Sequence, residues 1–442
     1  MRRRRLLLLI TLAACGSREC RLDPSPSCSY RPERGVSDAG TETFADEVVT
    51  VRAGDVHACV LLSTGDDVFG GEETRARCWG GNPNDQLARV ASPGVGELWW
   101  YANWDDRGPF DVGAAHACVM DPESRGDGPE LTCWGNNEGG QLGVDPDDTI
   151  EGVVRSSIGF SDALASMGLG GLHGCIAGSD AVICFGDARW GQLGEPDAEC
   201  CGPRSVNGGG WDGADVVGFR LAAGTRHNCA IALEEDGVGP LRCWGHAGFG
   251  QVGPTPEPTE VSPAPYPVLP AVRAVAAGPH HTCVIDESRA VLCFGRNARG
   301  ELGVGDESDR VEPTTVALGA EAAAIFAGGE SGLDFGGDLD VVTPGAAHTC
   351  ALDAEGRAYG WGDNSAGQLG LPAGPPELVP VAVHPDLRFA SLALGGRFTC
   401  GATLDHRVLC WGANDLGQLG RTGEGSHEPT EVPIFTESFA SP

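Results

Sequence analysis

The chain has 442 residues, 68 of them glycine and 30 proline, and its formal charge is −32. Glycine and proline at this level interrupt helices, so short strands joined by turns are expected in place of a helical bundle. The charge excludes a phosphate backbone as partner, because nucleic-acid binding needs clustered Lys or Arg, and the sequence contains no lysine at all. Without lysine there is no P-loop amine, no Schiff-base amine and no lysine general base.

The N-terminus opens with Arg2, Arg3, Arg4 and Arg5 ahead of a short apolar run over residues 6–12. That run is too short to cross a bilayer and has the form of an export signal. Leu12-Ala13-Ala14-Cys15 resembles the lipobox of bacterial lipoproteins, which implies cleavage after residue 14 and a lipid on Cys15. An ordinary A-x-A cleavage site that happens to precede a cysteine is the alternative. Residues 15–43 carry Pro24, Pro26 and Pro32 and have the composition of a spacer. The remaining unit, residues 44–437, is expected outside the cytoplasm, in the cell envelope at the outer membrane or surface. Membrane contact is expected through the lipid alone, and 18 cysteines agree with an oxidising compartment.

From Val48 onward the sequence repeats itself seven times. The first copy has His57, Cys59 and Cys78-Trp79-Gly80, with Gln86-Leu87 left of its last turn. The second runs from His116 and Cys118 through Cys133-Trp134-Gly135-Asn136 to Gly140-Gln141-Leu142-Gly143. The third passes His173, Cys175, Cys184-Phe185-Gly186 and Gly191-Gln192-Leu193-Gly194. The fourth holds His227, Cys229, Cys243-Trp244-Gly245 and Gly250-Gln251-Val252-Gly253. His281, Cys283, Cys293-Phe294-Gly295-Arg296-Asn297 and Gly300-Glu301-Leu302-Gly303 make the fifth. The sixth keeps His348, Cys350, Trp361-Gly362-Asp363-Asn364 and Gly367-Gln368-Leu369-Gly370, with Gly360 where a second cysteine belongs. The seventh puts Phe398 in the histidine position, followed by Cys400, Cys410-Trp411-Gly412 and Gly417-Gln418-Leu419-Gly420.

The first cysteine recurs every 50 to 67 residues, which suits a four-stranded propeller blade. Segments such as Val48-Val49-Thr50-Val51 and Val272-Arg273-Ala274-Val275 pattern as strands. Internal copies are taken to open with a strand like Glu312-Pro313-Thr314-Thr315-Val316, which the first copy lacks. Glu428-Pro429-Thr430-Glu431-Val432 follows the seventh copy instead. The expected fold is therefore all-β, a seven-bladed β-propeller whose ring is closed by a C-terminal strand that completes the first blade.

The pattern H-x-C, C-W-G-x-N, G-Q-L-G resembles the signature of regulator of chromosome condensation (RCC1-type) repeats, over residues 48–435. The resemblance implies a seven-bladed propeller and no single function. The founding member is a chromatin-bound exchange factor for a nuclear GTPase, plant photoreceptors use the same ring, and a secreted bacterial member inhibits β-lactamases. This sequence is acidic, reads as exported from its leader, lacks a basic tail, and offers no position that matches exchange-specific residues.

Six copies place a cysteine on each of two adjacent strands: Cys59 with Cys78, Cys118 with Cys133, Cys175 with Cys184, Cys229 with Cys243, Cys283 with Cys293, and Cys400 with Cys410. Cross-hairpin disulfides are favoured over zinc, since C-x-x-C spacing is absent. With Cys15 lipidated and Cys20 paired to Cys28, Cys200, Cys201 and Cys350 remain, so at least one thiol is free or pairs between molecules. The repeated histidines are expected to make a structural hydrogen bond beneath a turn, and the repeated Trp or Phe to fill the core between blades. Asp334, Asp338 and Asp340 suit hard-oxygen coordination of Ca²⁺, although a solvated acidic loop is the simpler account.

Function is sought where copies differ, in insertions at residues 91–109, 195–213 and 306–343. The first contains Trp99, Trp100, Tyr101 and Trp104, aromatics suited to a protein or glycan contact; packing down over the ring is the alternative. The protein is read as a monomeric binding scaffold, not an enzyme, with no cofactor, no metal and no catalytic residues. Its partner is an unidentified extracytoplasmic protein or glycan. The alternatives are an envelope hydrolase using carboxylates of the acidic insertions, or exchange activity by analogy with the family.

Overall fold

The computed structural model describes residues 47–66, 72–81, 95–100, 109–121, 130–147, 153–157, 166–178, 181–195, 200–206, 216–255, 261–333 and 345–433. Cys15, Cys20, Cys28, Tyr101, Trp104, Asp334, Asp338 and Asp340 lie outside them.

Every described element is a strand, and every sheet is an up-and-down meander in which sequence neighbours pair antiparallel. The first copy forms β1 (Glu47–Ala53), β2 (His57–Asp66), β3 (Glu72–Gly80) and β4 (Val95–Trp100). The second forms β5 (Phe110–Val112), β6 (His116–Asp121), β7 (Glu130–Gly135) and β8 (Val153–Ser157). The third forms β9 (Ser166–Leu169), β10 (His173–Ala177), β11 (Val182–Gly186) and β12 (Cys201–Ser205).

Copies four and five share one seven-stranded sheet. It runs β13 (Gly218–Ala223), β14 (His227–Leu233), β15 (Gly239–His246), β16 (Val261–Ala277), β17 (His281–Asp286), β18 (Val291–Gly295) and β19 (Arg310–Thr315). The long β16 pairs with β15 through its first part and with β17 through its second, so it is the last strand of one copy and the first of the next. Copy six forms β20 (Ala322–Gly329), β21 (Ala347–Asp353), β22 (Ala358–Gly362) and β23 (Glu377–Val383). Copy seven forms β24 (Phe389–Leu394), β25 (Phe398–Thr403), β26 (Val408–Gly412) and β27 (Ser426–Glu431).

This topology corrects the phase read from the sequence. Glu312-Pro313-Thr314-Thr315 belongs to β19, which pairs with β18 as the last strand of copy five. Likewise β27 pairs with β26 inside copy seven and does not join β1. The first copy needs no borrowed strand, because β4 is its own fourth strand, with Thr74 opposite Trp100 and Arg75 opposite Trp99. Trp99 and Trp100 therefore sit in a paired strand, where the sequence suggested an inserted loop. β12 and β19 similarly occupy parts of the other two presumed insertions.

The two ends of the repeat array meet by packing. Val51, Ala58, Val60, Leu62 and Trp79 of the first sheet form one core cluster with Phe398, Cys400, Val408, Cys410 and Leu419 of the last. The same construction recurs between successive copies, and it follows from strand alternation. Adjacent Cys and Trp or Phe point to opposite faces of one strand, so each copy turns its cysteines toward the next copy and its aromatic toward the preceding one. Trp134 thus packs with Cys59 and Cys78, Trp244 with Cys175 and Cys184, and Trp361 with Cys283 and Cys293. The expectation that these aromatics fill the core between copies is borne out.

Each cysteine pair stands in register across a hairpin and is disulfide-bonded: Cys59 with Cys78, Cys118 with Cys133, Cys175 with Cys184, Cys229 with Cys243, Cys283 with Cys293 and Cys400 with Cys410. Cys200 and Cys201 are bonded to each other. Cys350 is free and buried opposite Gly360, and burial pushes its thiol pKa up to about 12. That leaves it a poor nucleophile.

Candidate functional site on the turn face

The turns that carry the repeated residues gather at one end of the sheets, where the start of each second strand lies opposite the end of the third: His57 opposite Gly80, His227 opposite Gly245, His348 opposite Gly362. The Gln of each G-Q-L-G turn organises this end. Its Oε1 accepts the backbone N–H two residues earlier, from Trp190 at 2.8 Å for Gln192 and from Phe249 at 2.9 Å for Gln251. Its Nε2 donates five residues back, to Asn136 from Gln141, Asp187 from Gln192 and Asp363 from Gln368. Its backbone carbonyl then accepts from the following copy: the Gln368 carbonyl takes Trp411 Nε1–H at 3.0 Å and the Thr399 hydroxyl at 2.9 Å.

In copy five the turn holds Glu301, a carboxyl in place of the amide, and Arg296 donates to it at 3.2 Å. Burial still pushes Glu301 up to about 7 despite that guanidinium.

The repeated histidine joins the same network. His227 Nε2 reaches Thr282 Oγ1 at 2.9 Å, His281 reaches Thr349 at 2.9 Å, His348 reaches Thr399 at 2.9 Å, and His173 reaches Asn228 Oδ1 at 3.0 Å. Each of these hydroxyls already gives its proton to a turn carbonyl, Thr282 to Gln251 and Thr349 to Glu301. The histidine must therefore be the donor, as a neutral Nε2–H tautomer. The bond runs to the neighbouring copy, not merely beneath the histidine's own turn. Where the neighbour offers Ala117 or Gly174, His57 and His116 find no partner among the described residues. Opposite Ala58 stands Phe398, and both side chains are apolar.

Replacing Thr349 by Val keeps the shape and removes both bonds. The His281 Nε2–H is left buried without an acceptor, and stability is expected to fall by about 1–3 kcal/mol. A denaturant midpoint equal to that of the unaltered protein would show that the relay carries no stability.

Residues just after β20 and just before β21 reach other copies on this face. Ser331 donates its backbone N–H to Asp55 of copy one at 3.1 and 3.2 Å. A Cβ on Gly171 of copy three would lie 2.8 Å from Leu333 Cδ1. Gly345, on the returning side, accepts from Arg296 Nη1 of copy five at 3.4 Å. One segment therefore touches three copies other than its own. Asp55 is pushed up to about 7 by burial against the Ser331 hydrogen bonds, which pull the other way.

The same face carries an arc of side chains from copies three to five. Trp190, His246 and Phe249 are half-buried, whereas Arg226 is 5% and His280 3% exposed. The Arg226 guanidinium lies over the Trp190 ring at 4.7 Å. Ring centroids stand 5.2 Å apart for Trp190 with His246, 5.9 Å for His246 with Phe249, and 5.2 Å for Phe249 with His280. Copies of one turn position supply Trp190 and Phe249, and the residue before the repeated histidine supplies Arg226 and His280. Comparing the seven copies column by column would have found them. Arg226 and His280 stand where other copies carry Val56, Ala115, Leu172, Ala347 and Arg397, so this column holds a large polar group in three of the seven copies.

Among the candidates read from the sequence, Trp99 and Trp100 lie in β4, apart from this arc, and Tyr101 and Trp104 are not described. Among the described residues no group of three His, Cys, Asp or Glu side chains is arranged to hold a metal ion.

The family profile described as regulator of chromosome condensation (RCC1) repeat matches residues 272–301, 341–368 and 389–418, and a second profile of the same description matches 355–402 and 405–441. The ultraviolet-B receptor UVR8 of Arabidopsis thaliana is 30% identical over 206 residues, 46% of this chain and 42% of that protein. The human probable E3 ubiquitin-protein ligase HERC4 is 33% identical over 160 residues, 36% of this chain and 13% of that protein. The chain thus spans less than half the length of these curated relatives. Among solved structures, Prp20p of Saccharomyces cerevisiae, described with its binding to Gsp1p and histones, superposes with a TM-score of 0.60 at 19% identity over 80% of this chain and 82% of that one. Human WBSCR16 gives 0.60 at 16% identity over 80% and 90%. At these identities the likeness is one of fold, a β-propeller.

Proposed function

The chain belongs to the family of regulator of chromosome condensation repeat proteins, and on that premise we propose that it is a lipid-anchored envelope scaffold that binds a partner protein on its turn face. Seven blades close into one ring in this reading, six of the sheets' contacts linking successive copies and the seventh linking the last to the first. Cys15 carries the lipid, residues 15–43 hold the ring away from the membrane, and no chemistry is performed. The observation that carries the reading is the arc of half-exposed Trp190, His246 and Phe249 over buried Arg226 and His280. Aromatic and Arg side chains dominate binding hot spots, and this arc gathers both, with His246 also accepting from Gln251 within its own turn. Solved members of the fold bind proteins, as Prp20p does Gsp1p and histones.

The test uses the full-length protein in envelope fractions, with a photocrosslinking residue in place of Phe249 or, separately, of Trp99. Lysine-directed reagents have nothing to react with. One dominant adduct from the Phe249 position supports the scaffold; an adduct from Trp99 alone moves the docking face to β4; none from either overturns the proposal. Membrane retention and mass of Cys15→Ala, unchanged, would overturn the anchor.

A further inference from the structure

The arc has a polar interior that the fold leaves unused. Neither ring nitrogen of His280 finds a hydrogen-bond partner among the described residues, nor does Trp190 Nε1–H. A buried polar group without a partner is costly to keep, and His280 is only 3% exposed. The polar groups of the adjoining turns are satisfied by their neighbours: Gln192 by Asp187, Gln251 by His246 at 2.6 Å, Trp244 Nε1 by the Gln192 carbonyl at 3.0 Å.

Two guanidinium groups bear on the same spot. Arg226 and Arg296 both disfavour a proton on His280, which burial first of all, with His246 as well, holds down at about 3. His280 is therefore a neutral ring that keeps one N–H to give. The carboxylates nearby are already committed, Asp187 to Arg189 at 2.8 Å and Gln192, Glu301 to Arg296 at 3.2 Å. In a protein of charge −32, two arginines flank this spot, and its imidazole and indole N–H groups meet no acceptor among the described residues.

We infer that the hollow formed by Trp190, Arg226, His246, Phe249 and His280 binds a peptide carboxylate, with an apolar or aromatic neighbour of that carboxylate lying against Trp190 and Phe249. The assignment rests on the scaffold reading above and names the chemistry by which the partner is recognised. Donors from a neutral imidazole and an indole, beside a guanidinium held flat by stacking, match a single planar anion. A polyanion is disfavoured, because the protein's net negative charge repels it within the roughly 10 Å that salt leaves unscreened. The carboxylate of a Glu or Asp residue and that of a peptide's C-terminus offer the same group.

Three acetylated peptides separate these sources in titration calorimetry with the full-length protein. They are Ala-Phe-Glu amide, Ala-Phe with a free C-terminus, and Ala-Phe-Gln amide. One of the first two should bind at least about tenfold more tightly than the Gln peptide, a difference of about 1.4 kcal/mol. His280→Phe keeps a ring against Phe249 and removes both nitrogens; Trp190→Phe keeps the stacking face and removes the indole N–H. Each should weaken the acidic peptide by about tenfold while leaving the Gln peptide unchanged, and Trp190→Phe decides the matter should the buried His280 variant fail to fold.

Equal affinity for acid and amide peptides overturns the assignment, as does full affinity in Trp190→Phe. A protein captured through Phe249 that the acidic peptide fails to displace also overturns it and leaves the scaffold standing. Tight, carboxylate-dependent peptide binding with no captured protein does the reverse.

Discussion

Acidification should unfold the ring well before its carboxylates are all protonated. His57, His116 and His281 are held down at about 3, His173 and His348 at about 4, and His227 well below 6.5, each chiefly by burial. The unfolded protein binds a proton on each at the ordinary value of 6.5. A depressed histidine therefore contributes stability that is complete above 6.5 and is lost as pH falls from there toward the folded value. The loss is about 1.4 kcal/mol per histidine for each pH unit below 6.5. Asp55 and Glu301, both raised to about 7, act in the opposite sense and release stability as pH climbs from their ordinary values of 3.8 and 4.5. Six histidines outweigh these two carboxyls and Asp111, which burial also raises, so two pH units of acidification remove several kcal/mol from a margin of about 5–15 kcal/mol.

Near-ultraviolet circular dichroism against pH reads this directly. His57→Phe copies the arrangement already present at Phe398 beside Ala58, since His57 faces Ala117. It should lower the acid midpoint by removing one proton from the transition. A ring that keeps its near-ultraviolet signal down to about pH 3, past the span over which the histidines titrate, would show that buried histidines do not limit it.

What could be read from the sequence was whatever every copy needs. His, Cys, Trp, Gln and Gly recur because each copy hands the same bonds to the next, so the interfaces, the six disulfides and the propeller were legible as a repeat. The fourth strands were legible only in part, β19 and β27 being read as strands but assigned to the following copy. β12, β19, β23 and β27 contain Pro203, Pro313, Pro380 and Pro429 and alternate weakly between exposed and half-buried positions. Proline is tolerated at a sheet edge, where one side of the strand needs no partner, and the register of these strands slips at bulges. Edge strands of this kind resemble loops, so the phase of the blades was displaced by one strand and the presumed insertions held paired backbone. The arc was missed for the converse reason: His280 sits directly before a repeated histidine and was absorbed into the motif.

Reduction should be as damaging as acid. The six cross-hairpin disulfides close loops with separations of 9 to 19 residues, each contributing up to about 3 kcal/mol by restricting the unfolded state. Together they reach an upper limit of about 18 kcal/mol, comparable with or above the margin of an ordinary domain, about 5–15 kcal/mol. All twelve sulfurs are buried, so a reductant acts through opening of the sheets. Loss of structure should follow the opening rate and then proceed to completion, followed by tryptophan fluorescence. A fully reduced protein that keeps its native spectrum would place the stability in the packing alone.

Copy six supplies the reciprocal measurement. A Cβ at Gly360 stands 3.2 Å from Cys350 Sγ, with Val383 and Leu369 methyl groups at 2.9 and 3.1 Å that must give way. The register there matches that of the bonded copies, Cys350 opposite Gly360 as Cys283 is opposite Cys293. Gly360→Cys should form a seventh bond and raise stability by up to about 3 kcal/mol, less the cost of displacing the two methyl groups. The Cys350 thiol, seen by alkylation of the unfolded wild-type protein, should vanish from the variant. A thiol count that rises by one instead would mean that crowding by Val383 and Leu369 outweighs the register, and that the loss of the second cysteine in this copy was accommodated by repacking.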